Sequence, residues 1–224
     1  MAISDWPKKE RPRERLVSCG AGNLSDAELL AICLRSGIRG KSALDLARDL
    51  LLKLGSLNSL FESDLNELCQ HEGIGPEKYA LLQAAAELSR RQMFEKLQTT
   101  DILSSSDSTR AYLRARFRSF KHEVFSCIFL NNQHHIVKLE ELFTGTIDGA
   151  AVYPREVVKR CLYHNAAAVI FAHNHPSGVA EPSQADISIT RKLKSALETI
   201  DVRVLDHFVV GDPDVVSFAE RGLL

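Results

Sequence analysis

The chain has 224 residues, a formal net charge of -1 and 45% apolar side chains. This composition excludes a disordered polyelectrolyte and gives no general electrostatic case for nucleic acid. Charge is also even along the chain, with 14 basic and 14 acidic side chains in residues 1–100 and 14 and 15 in residues 101–224.

The N-terminal M-A-I-S-D-W-P-K-K-E has no apolar stretch behind its charges, and no apolar run reaches the roughly 18 residues of a membrane span. Neither a secretion leader nor a span is expected. The cysteines at 19, 33, 69, 127 and 161 are widely spaced and odd in number. They lack the close pairs of a cysteine zinc site and point to reduced, mostly buried thiols in a cytoplasmic protein.

Residues 1–23 are polar, contain Pro7 and Pro12, and read as an arm on the surface. Ser25 with Glu28 predicts a capping box that opens a helix carrying Leu29, Leu30, Ile32 and Cys33. A second helix is predicted from about Ser42 to Leu54, with Gly55 ending it, and a third over Asn58–Cys69. The turn Gly73-Ile74-Gly75-Pro76 leads into a fourth helix, whose first turn tolerates the proline. Residues 24–98 therefore form a small all-helical domain, and 99–108 read as a linker.

Residues 109–224 alternate between helix and strand. A helix near Thr109–Phe120 precedes strands at Glu123–Leu130 and about His135–Leu142, with a third short strand at Phe143–Ile147. A helix Pro154–Tyr163, a strand Ala166–Ala172, a helix from Ser183 to about Ile200 and a strand Val202–Val210 follow, then a short helical turn. This order predicts a layered α/β domain with a mixed sheet.

The stretch from His173 to Asp186, H-N-H-P-S-G-V-A-E-P-S-Q-A-D, carries the chemistry. Histidines at i and i+2 on extended chain point the same way, and Pro176 holds His175 extended. Gly178 lets the chain turn sharply. Asp186, in the first turn of the next helix, can then supply a third ligand. Two imidazoles and one carboxylate leave an open position, as in a catalytic zinc site. Histidine and carboxylate also suit other divalent metals. A plainer alternative makes Ser183 and Asp186 a capping pair and the histidines surface residues.

These residues resemble a known signature. H-N-H-P-S-G followed by P-S-x-x-D matches every fixed position of the JAMM (MPN-plus) metalloprotease motif, H-x-H-P-x-G…S-x-x-D. The form A-H-N-H-P-S-G behind a helical domain resembles the RadC (UPF0758-like) family, with P-R-E-V-V-K-R at 154–160 and L-D-H-F-V-V-G at 205–211 as further landmarks. The resemblance implies a C-terminal α-β-α domain with a mixed sheet, of the JAMM and cytidine-deaminase-like kind. It also implies zinc-dependent hydrolysis of a peptide, isopeptide or small amide, with His173, His175 and Asp186 as ligands.

Among the carboxylates Glu123, Glu140, Glu141 and Asp148, the resemblance selects Glu123, before the apolar strand E-V-F-S-C-I-F-L, as general acid/base. It makes Ser183 a hydrogen-bond donor to the developing oxyanion. Asn131 stands where such chains commonly have aspartate, a difference in turn chemistry outside the triad. His207 reads as a core or supporting residue oriented by Asp206, and His122, His134, His135 and His164 as bystanders.

A second function is also readable. Leu68–Ala80 resembles one helix-hairpin-helix motif, in which Gly73, Gly75 and Lys78 would meet a phosphate of DNA. Arg110, Arg114 and Arg118, four apart, would line one helix face. A solvated face explains these arginines equally well. Metal-dependent deamination is disfavoured, because the H-x-E and paired cysteines of that class are missing.

Overall fold

The computed structural model describes residues 3–98, 102, 106–145 and 152–224. It contains two compact units, residues 1–89 and 90–224. The first is all helical, with α1 (Pro12–Cys19), α2 (Asp26–Leu34), α3 (Ala43–Leu54), α4 (Leu57–Glu62), α5 (Leu65–Cys69) and the start of α6 (Pro76–Gln98). Side-chain caps fix where these helices begin. Ser25 and Glu28, Ser42 and Asp45, and Asp64 and Glu67 each form a reciprocal capping box.

Leu34, Leu50, Leu60, Leu68 and Leu82 fill the core of this unit. Each buried leucine stabilises it by roughly 1.5–3 kcal/mol. The region predicted as one helix at 58–69 is two, because Asp64 caps a fresh start after Ser63. The N-terminal segment, expected as an arm on the surface, is mostly exposed but has regular structure. It forms short 3-10 turns and α1, Ile3 and Trp6 pack against the core, and Arg15 pairs with Glu28. Sequence patterning missed this because α1 buries only Pro12 and so has no apolar stripe.

The second unit contains α7 (Ser106–Phe117), β1 (Val124–Leu130), β2 (Ile136–Thr144), α8 (Pro154–Tyr163), β3 (Ala168–Asn174), α9 (Gln184–Glu198), β4 (Arg203–Val210) and β5 (Val215–Ser217). The strands form one mixed sheet in the order β2-β1-β3-β4-β5, in which only β3 and β4 run parallel. All seven residues of β1 and of β3 are buried, which explains their continuous apolar runs.

On one face Leu113 and Phe117 of α7 cover Val124, Ile128, Ile170 and Phe208. On the other, Val157 and Cys161 of α8 and Leu193 and Leu197 of α9 cover Phe125, Phe129 and Phe171. The result is the expected helix–sheet–helix layering. Among the described residues no helix is long and apolar enough to cross a membrane.

Several details differ from expectation. β3 starts and ends two residues later than predicted, so His173 and Asn174 are strand residues. β2 runs unbroken through Phe143 and Thr144, and the rest of the expected third strand lies partly outside the described residues. β5 follows β4 before the final turn. Most of the expected linker at 99–108 also lies outside the described residues, and Ser106 already begins α7.

Candidate metal centre

His173 lies in β3, paired with Phe125 of β1 and Val209 of β4, and is 1% exposed. His175 continues the extended line past the strand end, its N–H donating to the Val210 carbonyl at 2.9 Å. This places both imidazoles on one side.

The chain then turns at Gly178, whose φ of +81° suits glycine. Gly178 accepts a hydrogen bond from the Asp212 N–H at 2.9 Å. Gly211 allows that approach, because a Cβ there would stand 2.3 Å from the Gly178 carbonyl oxygen. The 175–180 loop is thereby fixed to the end of β4.

Ser183 is the N-cap of α9. The Asp186 N–H donates to Ser183 Oγ at 3.1 Å, and the Ser183 N–H donates to Asp186 Oδ2 at 2.7 Å. The same carboxylate faces both histidines. Asp186 Oδ1 is 3.4 Å from His173 Nε2, Oδ2 is 3.5 Å from His175 Nε2, and the two Nε2 atoms are 3.0 Å apart. Zinc bonds of about 2.0–2.1 Å at tetrahedral angles imply donor separations of roughly 3.3 Å, so this set fits the ion. Among the described residues it is the one cluster of three such side chains with donor atoms this close. The capping and ligand readings of Ser183 and Asp186 are therefore compatible.

The charges support one another. The Asp186 hydrogen bond chiefly raises the His175 pKa against the opposing effect of burial, with the Val179 carbonyl and the charges on Asp186 and Glu123 contributing. For Asp186, burial opposes ionisation, but the contacts with the His173 and His175 imidazoles and with Ser183 outweigh it and hold the carboxyl far below the usual range. His175 Nδ1 lies 2.8 Å from the Val179 carbonyl and must donate to it, so Nε2 is the atom left to face the cluster.

Glu123 stands half-buried immediately before β1, where its carbonyl accepts the Gly145 N–H at 2.8 Å. Asn174, between the two histidines, fixes this segment. Its Oδ1 accepts the Val124 N–H at 2.8 Å and its Nδ2 donates to the His122 carbonyl at 3.0 Å.

The competing carboxylates are engaged elsewhere. Glu140 is held by Arg160 and by His164 at 2.9 Å, and Glu141 by Arg116 at 2.7 Å. Asp148 lies outside the described residues. Asn131 Oδ1 accepts the N–H groups of Gln133 and His135 at 2.9 and 3.0 Å, an acceptor role that aspartate fills equally.

His207 is fully buried beside the site, and burial pushes its pKa well down, with the His173 charge adding to the effect. Its Nε2 lies 2.9 Å from His173 Nδ1 and its Nδ1 lies 2.6 Å from Thr190 Oγ1. Asp206 does not orient the ring as expected. Its carboxylate accepts the backbone N–H groups of His207 and Ala219 and the Ser217 hydroxyl, holding the chain after β5. Asn174 and Thr190 escaped the sequence reading, although Thr190 sits one helical turn after Asp186.

The residues proposed for DNA are not gathered at this centre. Lys78 Nζ donates to the carbonyls of Ser36 and Gly73 at 2.9 and 2.8 Å, and burial draws its pKa down. It thereby ties the Gly73 turn to Ser36. Arg110 pairs with Glu220 at 2.5 Å, Arg114 donates to the Pro213 carbonyl at 3.1 Å, and Arg118 lies 3.8 Å from Asp212.

Comparison with known proteins covers both units. Residues 103–223 match the family described as the RadC-like JAB domain, and residues 3–80 match the UPF0758 N-terminal family. UPF0758 proteins of Nitrosococcus oceani and Thioalkalivibrio sulfidiphilus are each 59% identical over 224 residues, covering all of both chains. One from Stutzerimonas stutzeri is 59% identical over 222 residues, or 99% of each chain.

Proposed function

The chain belongs to the RadC (UPF0758) family, and on that premise we propose that it is a zinc-dependent metallopeptidase or isopeptidase-like amide hydrolase. The observation that carries this reading is the near-tetrahedral spacing of His173 Nε2, His175 Nε2 and the Asp186 carboxylate. Two imidazoles and one carboxylate are the donor set that would hold a catalytic rather than a structural zinc. Bound zinc supplies Lewis-acid polarisation of an amide carbonyl and acidifies a water molecule.

The protein side chains do the rest. Glu123 takes the proton from water and passes it to the leaving amine. Its charge acts on His175, and Asn174 anchors the residues on either side of it. Ser183 uses an oxygen lone pair for the cap, which leaves its O–H to donate to the oxyanion. The substrate class is a peptide, isopeptide or smaller amide. A cytoplasmic setting agrees with five cysteines that lack close sequence pairs.

The test is hydrolysis of peptide and isopeptide-linked libraries by zinc-loaded protein, read by mass spectrometry beside Glu123→Gln. Cleavage by the wild type alone, with equal zinc in both proteins, supports the reading. No cleavage by zinc-loaded wild type across the libraries sinks it. The DNA reading has weaker support, because Lys78, Arg110 and Arg114 are engaged within the chain.

A further inference from the structure

We infer that Thr190 and His207 are positioning residues that set the tautomer of His173 through a one-way chain of hydrogen bonds ending on the backbone carbonyl of Asp186. This deepens the metal-site reading and rests on it. The chain is continuous: His173 Nδ1 to His207 Nε2 is 2.9 Å, His207 Nδ1 to Thr190 Oγ1 is 2.6 Å, and Thr190 Oγ1 to the Asp186 carbonyl oxygen is 2.6 Å.

Its direction follows from the last contact. A carbonyl oxygen has no proton to give, so the proton in that O···O contact is Thr190's own. Reversing the hydroxyl would leave two bare oxygens facing each other at 2.6 Å. With its only proton committed, Thr190 Oγ1 can only accept from His207, which must carry its proton on Nδ1. Enclosed by Phe125, Phe171 and Phe218 with no carboxylate bonded to its ring, His207 then offers a bare Nε2 as an acceptor, and His173 must place its own proton on Nδ1.

The consequence appears at the other edge of the His173 ring. Nε2 is left with a lone pair aimed at His175 and Asp186, the form a metal requires. Phe125, Phe171 and Phe218 pack around the His207 ring, so it has no polar neighbour on those sides to compete. Asp186 thus acts on the site twice. Its carboxylate faces the ion position, and its carbonyl fixes the protonation of a neighbouring ligand.

The test combines nitrogen NMR of the imidazoles in metal-free protein with zinc affinity for Thr190→Val, His207→Phe and His207→Gln. His173 should be the Nδ1–H tautomer in the wild type. Thr190→Val, which keeps shape but loses the hydroxyl, and His207→Phe should mix the tautomers and weaken zinc binding roughly 10–100-fold. His207→Gln, whose amide oxygen can accept the same proton, should restore most of the affinity. An Nε2–H tautomer for His173 in the wild type overturns the inference. So does zinc affinity within twofold of wild type in folded Thr190→Val. Failure of the wild type to bind zinc would instead sink the metal reading, and the tautomer measured without metal would then decide this inference alone.

Discussion

At the end of β3, two imidazoles and a carboxylate turn their free atoms toward one another. Along α7 and just past its end, three arginines each meet an acceptor of their own unit. Both clusters are visible in the sequence as spaced polar residues, and for the arginines that spacing fits a solvated face as well as a binding one. The difference lies in what each leaves unanswered. Convergent acceptors call for a cation or a shared proton, whereas the arginine face already has acceptors: two carboxylates and a backbone carbonyl. A polar cluster becomes a candidate site through the partner it lacks.

The comparison can be broken in four places. The largest expected effect is at Glu123, where Glu123→Gln should lower amide turnover by about 10²–10⁴-fold with zinc retained. Unchanged turnover at full metal content removes it as the proton carrier. Next, Asp186→Ala should weaken zinc binding by more than about 100-fold, read by competition with a chromophoric chelator. Asp186→Asn keeps an oxygen for the Ser183 cap and so separates lost ligation from a lost helix start. Equal zinc affinity in all three proteins would mean that the cluster is not a metal centre.

Gly211→Ala should cost roughly 1–3 kcal/mol in thermal or denaturant unfolding, because its Cβ meets the backbone of the 175–180 loop. A neutral effect would show that this loop is not held by β4. The smallest effect is expected on the arginine face. Arg114→Ala with Arg118→Ala should change stability by less than about 1 kcal/mol per residue and leave DNA affinity and its salt slope unchanged. A clear fall in both DNA measures would turn that face into a second site.

The sequence exposed what is local. The Ser183–Asp186 cap, the two-residue spacing of the histidines and the buried runs of β1 and β3 all follow from neighbouring residues. Other features depend on distant partners. His207 meets His173 only because β4 runs beside β3, placing His207 opposite Phe171. Arg110 and Arg114 find acceptors about a hundred residues further along. β5 has three residues, too few for a period to emerge. The Asp64 cap was local and readable, but the apolar residues on either side of it concealed the break between α4 and α5.

The first turn of α9 ties helix initiation to assembly of the centre. Cap, ligand and tautomer anchor share the register Ser183–Asp186–Thr190. One residue inserted between Ser183 and Asp186 would rotate the aspartate by about 100° and remove its ligand and capping functions together. Zinc should therefore act as a staple on this turn, slowing amide exchange at its first N–H groups while leaving exchange near Leu197 almost unchanged.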